Sequence, residues 1–493
     1  MCERGRKMKK IIVHVAPNET RAAIVENEHL AEFYVEKDND EQIVGNIYLG
    51  KVENVLPGMQ AAFIDIGIEK NAFLYVDDAL PPEILNDKDR EKPFKINEVL
   101  KEGQSILVQV KKEAFGTKGP RVTTHISIPG RYLVFMPGFQ YVGVSKKIGD
   151  EEERLRLKEI GETIREESEG VIIRTVAEGI DQELLRRDLN FLRAIWNKTD
   201  QQGKQKKGPA LIYKDLELVY RLVRDLLSED VKQFVIDHGF SYRKVKEMVE
   251  AAAPELLERL YFYSEKEHIF DAFHVQAEID KVLRRKVWLK SGGYIVFDQT
   301  EALTVIDVNT GKYIGHSHLE DTVLKTNIEA AIEIAKQLRL RDIGGIIIID
   351  FIDMKKEAHR EQILSVLQTE MDKDRTKSNI LGLTQLGLVE MTRKKARQNL
   401  VSLLSRTCPI CDGSGRVISE EEMVNKIERD ILSHKDRFSI KGIELEVNPF
   451  VAKVLIGDQQ KNIRRIKEEV GKEIIIKENA MFHFHQYEMK YLS

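Results

Sequence analysis

Two aspartates carry the strongest chemical signal in this 493-residue chain. The apolar run Leu303-Thr304-Val305-Ile306 leads into Asp307-Val308-Asn309, and Ile346-Ile347-Ile348-Ile349 leads into Asp350-Phe351-Ile352-Asp353. Two carboxylates brought side by side repel unless a cation or a proton separates them. Oxygen-only ligation of this kind suits Mg²⁺, which keeps most of its waters and takes few protein ligands. A bound Mg²⁺ polarises a phosphoryl oxygen and activates water. Asn309, two residues after Asp307, is placed to orient a water or a phosphate oxygen. The plainer alternative is that each aspartate caps a turn or a helix start.

Other patterns offer further chemistry. Cys408-Pro409-Ile410-Cys411-Asp412-Gly413-Ser414-Gly415 sets two thiols in a tight turn opened by glycines. Structural zinc takes four ligands, and the remaining cysteine, Cys2, stands in an extension ahead of Met8. One chain therefore supplies half a site. Three outcomes stay open: two chains sharing one Zn²⁺, histidines completing the shell, or a redox dithiol, for which no thioredoxin-like unit is read around the pair. Val171-Ile172-Ile173-Arg174-Thr175 reads as a strand ending in a guanidinium and a hydroxyl, donors suited to phosphate, although a solvated arginine is the simpler reading. Ser145-Lys146-Lys147 falls in the same region. Arg393-Lys394-Lys395-Ala396-Arg397 is a basic cluster, expected to be helical, that would neutralise phosphates or merely face water. Asn309-Thr310-Gly311-Lys312 fails as a phosphate loop, because Ile306 and Tyr313 stand where glycine and Ser or Thr are required. His316 and His318 are candidate metal ligands or ordinary surface residues.

The carboxylates need elements to bring them together. Residues 319–340 carry apolar side chains at helical spacing, including Val323, Ile328, Ala331, Ala335 and Leu338, and Gly344-Gly345 ends that run. Asp350 lies 43 residues after Asp307, enough for a strand–helix–strand crossover. Such a crossover makes the strands parallel and sets both carboxylates at one carboxyl-terminal edge, where open α/β sheets place their sites. Four consecutive isoleucines predict a strand covered on both faces, and residues 292–404 alternate strands with long helices, the pattern of parallel pairing. Upstream, residues 10–15, 21–25 and 31–35 predict three strands. Residues 45–126 show short strands with glycines at the corners, predicting a small antiparallel barrel, with the charged, proline-containing stretch 81–101 as a surface loop. Residues 131–177 read as α+β with a helix near 151–167, residues 199–208 as a solvated loop, and 215–281 as helical.

Composition bounds the answer. At about 150 residues per domain the length predicts roughly three domains. Apolar residues at 42% and charged residues at 32% exclude collagen-like and wholly disordered chains. With 77 basic against 81 acidic side chains, nucleic acid would be met by a local patch rather than a polybasic coat. No apolar stretch approaches the roughly 18 residues of a membrane span. His14 interrupts Ile11-Ile12-Val13, so no signal-peptide core is read, and three cysteines point to a reducing, cytoplasmic compartment.

Several long runs resemble the ribonuclease E/G family: residues 301–311 (EALTVIDVNTG), Asn327-Ile328-Glu329-Ala330-Ala331, Gln337 through Ile346 (QLRLRDIGGI), Asp350-Phe351-Ile352-Asp353-Met354, and Gly387-Leu388-Val389-Glu390-Met391-Thr392-Arg393. The likeness covers nearly the whole chain. Because the sequence stops at Ser493 without the long disordered scaffold of E-type members, it is nearer the G type. The resemblance implies an α/β and α+β multidomain protein. Its expected parts are an RNase H-like domain split between 1–40 and 215–282, an inserted OB-fold RNA-binding barrel at 41–126 and a 5′-phosphate sensor region at 127–214. A DNase I-like α/β catalytic domain at 283–405, a zinc link at 406–416 and a small C-terminal α/β domain at 417–493 complete it. It implies a Mg²⁺-dependent endoribonuclease acting on single-stranded, A/U-rich RNA, leaving 5′-phosphate and 3′-hydroxyl ends, in rRNA maturation and mRNA decay. Asp307 and Asp350 would hold the metal and Asn309 would assist. Phe63 and Phe73 would stack bases, and Lys112 and Lys118 would meet the RNA backbone. Taken alone, strand periodicity would sooner bury those rings in the barrel core. Arg174 and Thr175 would bind a stimulating 5′-monophosphate. Cys408 and Cys411 would share one Zn²⁺ between two chains, in a homodimer or a dimer of dimers. The competing expectation is a non-catalytic RNA-binding or scaffold protein. Residues 456–466 resemble the KH helix–loop–helix, but Gln460 stands where a second glycine is needed, so a packing or assembly role is expected there.

Overall fold

The computed structural model describes residues 9–37, 43–81, 94–114, 118–311, 319–395, 397–433 and 441–492. The chain forms two compact units, Met1–Leu403 and Leu404–Ser493. Among the described residues no helix is long and apolar enough to cross a membrane.

In the first unit, Lys9–Ala16, Glu19–Glu26 and His29–Lys37 form an antiparallel meander. Lys9–Ala16 also pairs in parallel with Val231–Ile236, which pairs in parallel with Leu260–Phe262. Residues 215–281 are therefore not helical throughout. Their two strands are short and each follows an amphipathic helix, Leu218–Leu226 or Gly239–Ala252, whose periodicity masks them.

Five strands close into a barrel: Ile47–Leu56, Ala61–Asp65, Ala72–Tyr75, Arg121–Thr123 and Ser105–Lys112, the first pairing with both the second and the last. Part of the expected 81–101 loop belongs to the barrel. Ile96, in the short helix Ile96–Val99, and Leu100 are buried in the core, an apolar pair that the surrounding charge obscured. Beyond the barrel, a four-stranded sheet shares its core with the helices Glu151–Ile164 and Gln182–Gln205. The second helix runs through most of residues 199–208, which were expected to be a loop. Thr199 is buried and its hydroxyl donates to the Ile195 carbonyl at 2.8 Å, so the polar run there is the solvated side of a helix.

The sheet that carries the aspartates has the order Lys286–Trp288, Tyr294–Gln299, Leu303–Asn309, Gly345–Asp350, Val389–Arg393, Ser378–Leu383. Leu303–Asn309 and Gly345–Asp350 run parallel, connected through the helix Leu319–Leu340, and every other pairing is antiparallel. The sheet is mixed, not parallel, because hairpins flank the single crossover. Leu319–Leu340 and Glu357–Met371 pack on one and the same face, burying Ile295, Phe297, Ile306, Val308, Ile347 and Ile349. The other face is open. The four isoleucines alternate across the strand: Ile347 and Ile349 enter the core, while Ile346 is 51% exposed. Cover on both faces is thus overturned. Arg339 of the crossover helix ties this layer to the N-terminal sheet through Glu26 at 2.8 Å and Glu32 at 2.5 Å.

Among its described residues the basic cluster is not helical. Arg393 ends the strand Val389–Arg393, and its buried guanidinium is held by Asp342 and Asp374, each at 2.8 Å. Arg397 joins Asp342 at 2.9 Å and lies over the Tyr34 ring. These arginines serve packing between elements, because two buried carboxylates require them.

The second unit packs the helices Glu420–Leu432, Pro449–Ile456 and Lys461–Val470 around a sheet of Glu473–Glu478, Gly442–Val447 and Tyr487–Leu492. In the loop that resembles a KH turn, Gly457, Gln459 and Gln460 all have positive φ. Asn462 packs against Gly457 and donates to the Val454 carbonyl at 3.0 Å, so the chain's own side chain occupies the close approach.

Candidate metal and RNA site

Asp307 and Asp350 are direct Cα partners across the parallel pair, on strands about 4.8 Å apart. Both are exposed on the open face, and Asn309 shares that face. The Asn309 side-chain amide donates to Asp307 Oδ2 at 2.7 Å. The strand continues past Asp307 to Asn309, so the pair sits on a sheet face near its carboxyl-terminal edge rather than beyond that edge. Burial, then the negative charges of Asp307 and Asp353, push the Asp350 carboxyl above its ordinary range. Asn327 of the crossover helix is fully buried. Its side chain donates to the Ile352 carbonyl at 2.7 Å and accepts from the Ile352 amide at 3.1 Å. That double bond clamps the loop between Asp350 and Asp353. Sequence reading assigned Asn327 and Asp353 no role. A polar residue four positions from both Val323 and Ala331, on the apolar stripe, was the available signal.

The donors here are all oxygens, and a cation between them would offset the mutual repulsion of the Asp307 and Asp350 carboxylates. Among the described residues no three His, Cys, Asp or Glu side chains cluster to hold an ion. An ion at this site would take two carboxylates and complete its shell with water, which fits Mg²⁺. His316 and His318 lie outside the described residues.

On the barrel, Phe63 and Phe73 are cross-strand partners with ring centroids 5.5 Å apart. Their neighbours Ala62, Ile64, Ala72 and Leu74 are buried, so alternation turns both rings outward, half-exposed, rather than into the core. Tyr75 lies 4.6 Å from Phe73, and Arg121 stacks over Tyr75 at 4.5 Å. Both were missed, although Tyr75 stands two residues after Phe73 on the same face. Arg121 is also gripped by Asp78 at 2.6 Å. Lys112, the cross-strand partner of Arg121, and Lys118 are exposed.

Arg174 follows the strand Glu169–Ile173 and is already oriented. Its guanidinium donates to the Gly130 carbonyl at 2.6 Å and pairs with Asp225 at 2.7 Å. The exposed Thr175 hydroxyl meets Ser145 at 2.8 Å, which sets the turn with exposed Lys146 and Lys147 alongside.

In the second unit, hydrogen bonds from the Ile410 and Cys411 amides, then the Cys411 thiol, lower the Cys408 thiol below its usual range. The Gly415 amide donates to Cys411 Sγ at 3.4 Å. Amides aimed at sulfur favour thiolates, and two soft donors make half of a tetrahedral zinc shell.

Residues 127–396 match the Ribonuclease E/G family, and residues 407–492 match the RNase E/G, Thioredoxin-like domain. The second match overturns the reading that no thioredoxin-like unit accompanies the cysteine pair. The parallel pairing of Gly442–Val447 with Glu473–Glu478 across two helices is a tertiary feature that cysteine spacing does not encode. The chain is 43% identical over 484 residues to Ribonuclease G of Haemophilus influenzae, covering 97% of this chain and 99% of that protein. It is 41% identical over 483 residues to Ribonuclease G of Escherichia coli strain K12, with the same coverage. It is 39% identical over 415 residues to Ribonuclease E of Nostoc sp., covering 83% of this chain and 59% of that protein. Matches of this length and identity establish that the chain belongs to the ribonuclease E/G family.

Proposed function

We propose that this protein is a Mg²⁺-dependent endoribonuclease that hydrolyses single-stranded RNA on the open face of the mixed sheet. The carrying observation is the register that opposes Asp307 to Asp350 with Asn309 bonded to Asp307. The two carboxylates would hold the ion, and Asn309 would keep the Asp307 carboxylate in one orientation. When bound, Mg²⁺ supplies polarisation of a phosphoryl oxygen and activation of water, consistent with 5′-phosphate and 3′-hydroxyl products. An open, one-sided sheet admits an extended strand. The outward Phe63 and Phe73 rings stack on unpaired bases, and Lys112 and Lys118 neutralise phosphates. Stacking needs free base faces, so weakly paired A/U-rich RNA is the preferred substrate. Arg174 and Thr175 bind a 5′-monophosphate and stimulate cleavage. Cys408 and Cys411 supply two of the four ligands of a Zn²⁺ shared with a second chain, giving a homodimer or a dimer of dimers. Cytoplasmic rRNA maturation and mRNA decay are the processes such an enzyme serves.

The test is incubation of the purified protein with 5′-phosphorylated single-stranded RNA, with and without Mg²⁺. Cleavage that requires Mg²⁺, and that is abolished in Asp350→Asn while RNA binding persists, is the expected result. RNA bound but never cut would leave a scaffold.

A further inference from the structure

The open face carries a second feature beside the aspartates. Lys286–Trp288 and Tyr294–Gln299 form the hairpin next to Leu303–Asn309, and the register places Trp288 opposite Tyr294 and Tyr294 opposite Asn309. Val287, Ile295 and Phe297 point to the helix-covered core, so alternation turns Lys286, Trp288 and Tyr294 onto the same open face as Asp307, Asn309 and Asp350. Trp288 is 61% exposed. Its ring centroid lies 5.4 Å from that of Tyr294. The Lys286 ammonium sits 4.1 Å from the Trp288 ring centroid and 3.4 Å from that of Tyr294. Two strand spacings separate Trp288 from Asn309, about 10 Å along the sheet.

A large indole that a neighbouring ring and a cation hold, but that stays mostly exposed among the described residues, is costly in water unless something stacks on it. The lysine fixes the rings and brings positive charge to the place where a nucleotide's phosphate would follow its base. Aromatic faces with an adjacent cation are how single strands are gripped without sequence readout. We propose that Trp288, with Tyr294 and Lys286, is a base-stacking subsite for a nucleotide flanking the linkage held at Asp307 and Asp350. This rests on the nuclease reading above and adds to it a second stacking surface, on the catalytic sheet itself rather than on the barrel.

The chain holds two tryptophans, so Trp196→Phe leaves Trp288 as the sole indole reporter. In full-length Trp196→Phe protein carrying Asp307→Asn to prevent cutting, single-stranded RNA should quench Trp288 fluorescence saturably. Trp288→Ala, at an exposed position, should weaken RNA binding about 5- to 150-fold with the melting temperature unchanged, since a stacked base is worth roughly 1–3 kcal/mol. Trp288→Phe should restore most of the affinity. An RNA with one abasic position should bind the parent as weakly as intact RNA binds Trp288→Ala, and should show no further loss on that variant. Unchanged fluorescence at saturation, or a Trp288→Ala affinity within twofold of the parent, overturns the subsite. The nuclease reading is judged separately, by Mg²⁺-dependent cleavage in the otherwise unaltered protein.

Discussion

Replacing Asp307 by asparagine should stabilise the metal-free protein while destroying its response to Mg²⁺. The substitution is nearly isosteric, and its carbonyl oxygen can still accept from Asn309, so the bond now seen at 2.7 Å survives. What disappears is a charge facing Asp350. Two unit charges about 5 Å apart repel by about 0.8 kcal/mol in bulk water and about 3 kcal/mol at an effective dielectric of 20. Both carboxylates are exposed, so screening favours the lower figure, and a gain of about 1 kcal/mol is the upper bound. That corresponds to about 2 °C or less in the unit Met1–Leu403, since 1 kcal/mol moves a domain of about 150–250 residues by roughly 2–4 °C and a larger one by less. The sign with pH follows from the raised Asp350 carboxyl. The folded form holds its proton more tightly than the unfolded chain, so stability falls as pH rises from the ordinary value of 3.8 through the raised one. The gain from Asp307→Asn is therefore absent below that window and full above it. Mg²⁺ should stabilise the wild type by mass action and leave the variant unmoved. Loss of the ion's several kcal/mol should cut cleavage by about 1000-fold or more. Thermal unfolding from pH 4 to 8, in chelator and in Mg²⁺, reads all of this. A variant less stable than wild type in chelator at pH 7, or one still stabilised by Mg²⁺, refutes the reasoning.

Asn327→Leu removes both bonds to Ile352 and should raise the Mg²⁺ concentration for half-maximal cleavage by at least about tenfold, with a smaller loss at saturating Mg²⁺. A uniform loss at all Mg²⁺ concentrations would mean that the clamp does not position Asp350. Arg174→Ala should erase the preference for 5′-phosphorylated over 5′-hydroxyl RNA, and Arg174→Lys should not restore it, because an ammonium lacks the planar fork. An unchanged ratio of cleavage rates in the alanine variant would remove Arg174 from the sensor. Metal analysis should find about half a zinc per chain, and Cys408→Ser should yield zinc-free monomers by light scattering. A full zinc in a stable monomer would end the shared-site reading.

The sequence by itself determined that the two aspartates meet. The apolar runs ending at Asp307 and Asp350, with a helix-length interval between them, were enough to anticipate a crossover and an opposed carboxylate pair. The three N-terminal strands and the barrel were legible from their spacing for the same reason: local periodicity records which side of an element is buried. Tertiary structure alone decided how many faces are covered. Both long helices chose one side of the sheet, so Ile346 and Ile348 remain outside the core and the aspartates lie on an open surface. It decided that Phe63 and Phe73 face outward, since alternation gives two faces but not which one is the barrel interior. It drew Arg393 out of the expected cationic surface into buried ion pairs with Asp342 and Asp374, and it brought Asn327 to Ile352. Such pairings join residues distant in the chain through contacts that leave no periodic trace. A sequence pattern reports the burial an element needs, while the partner that provides it is fixed only when the whole chain packs.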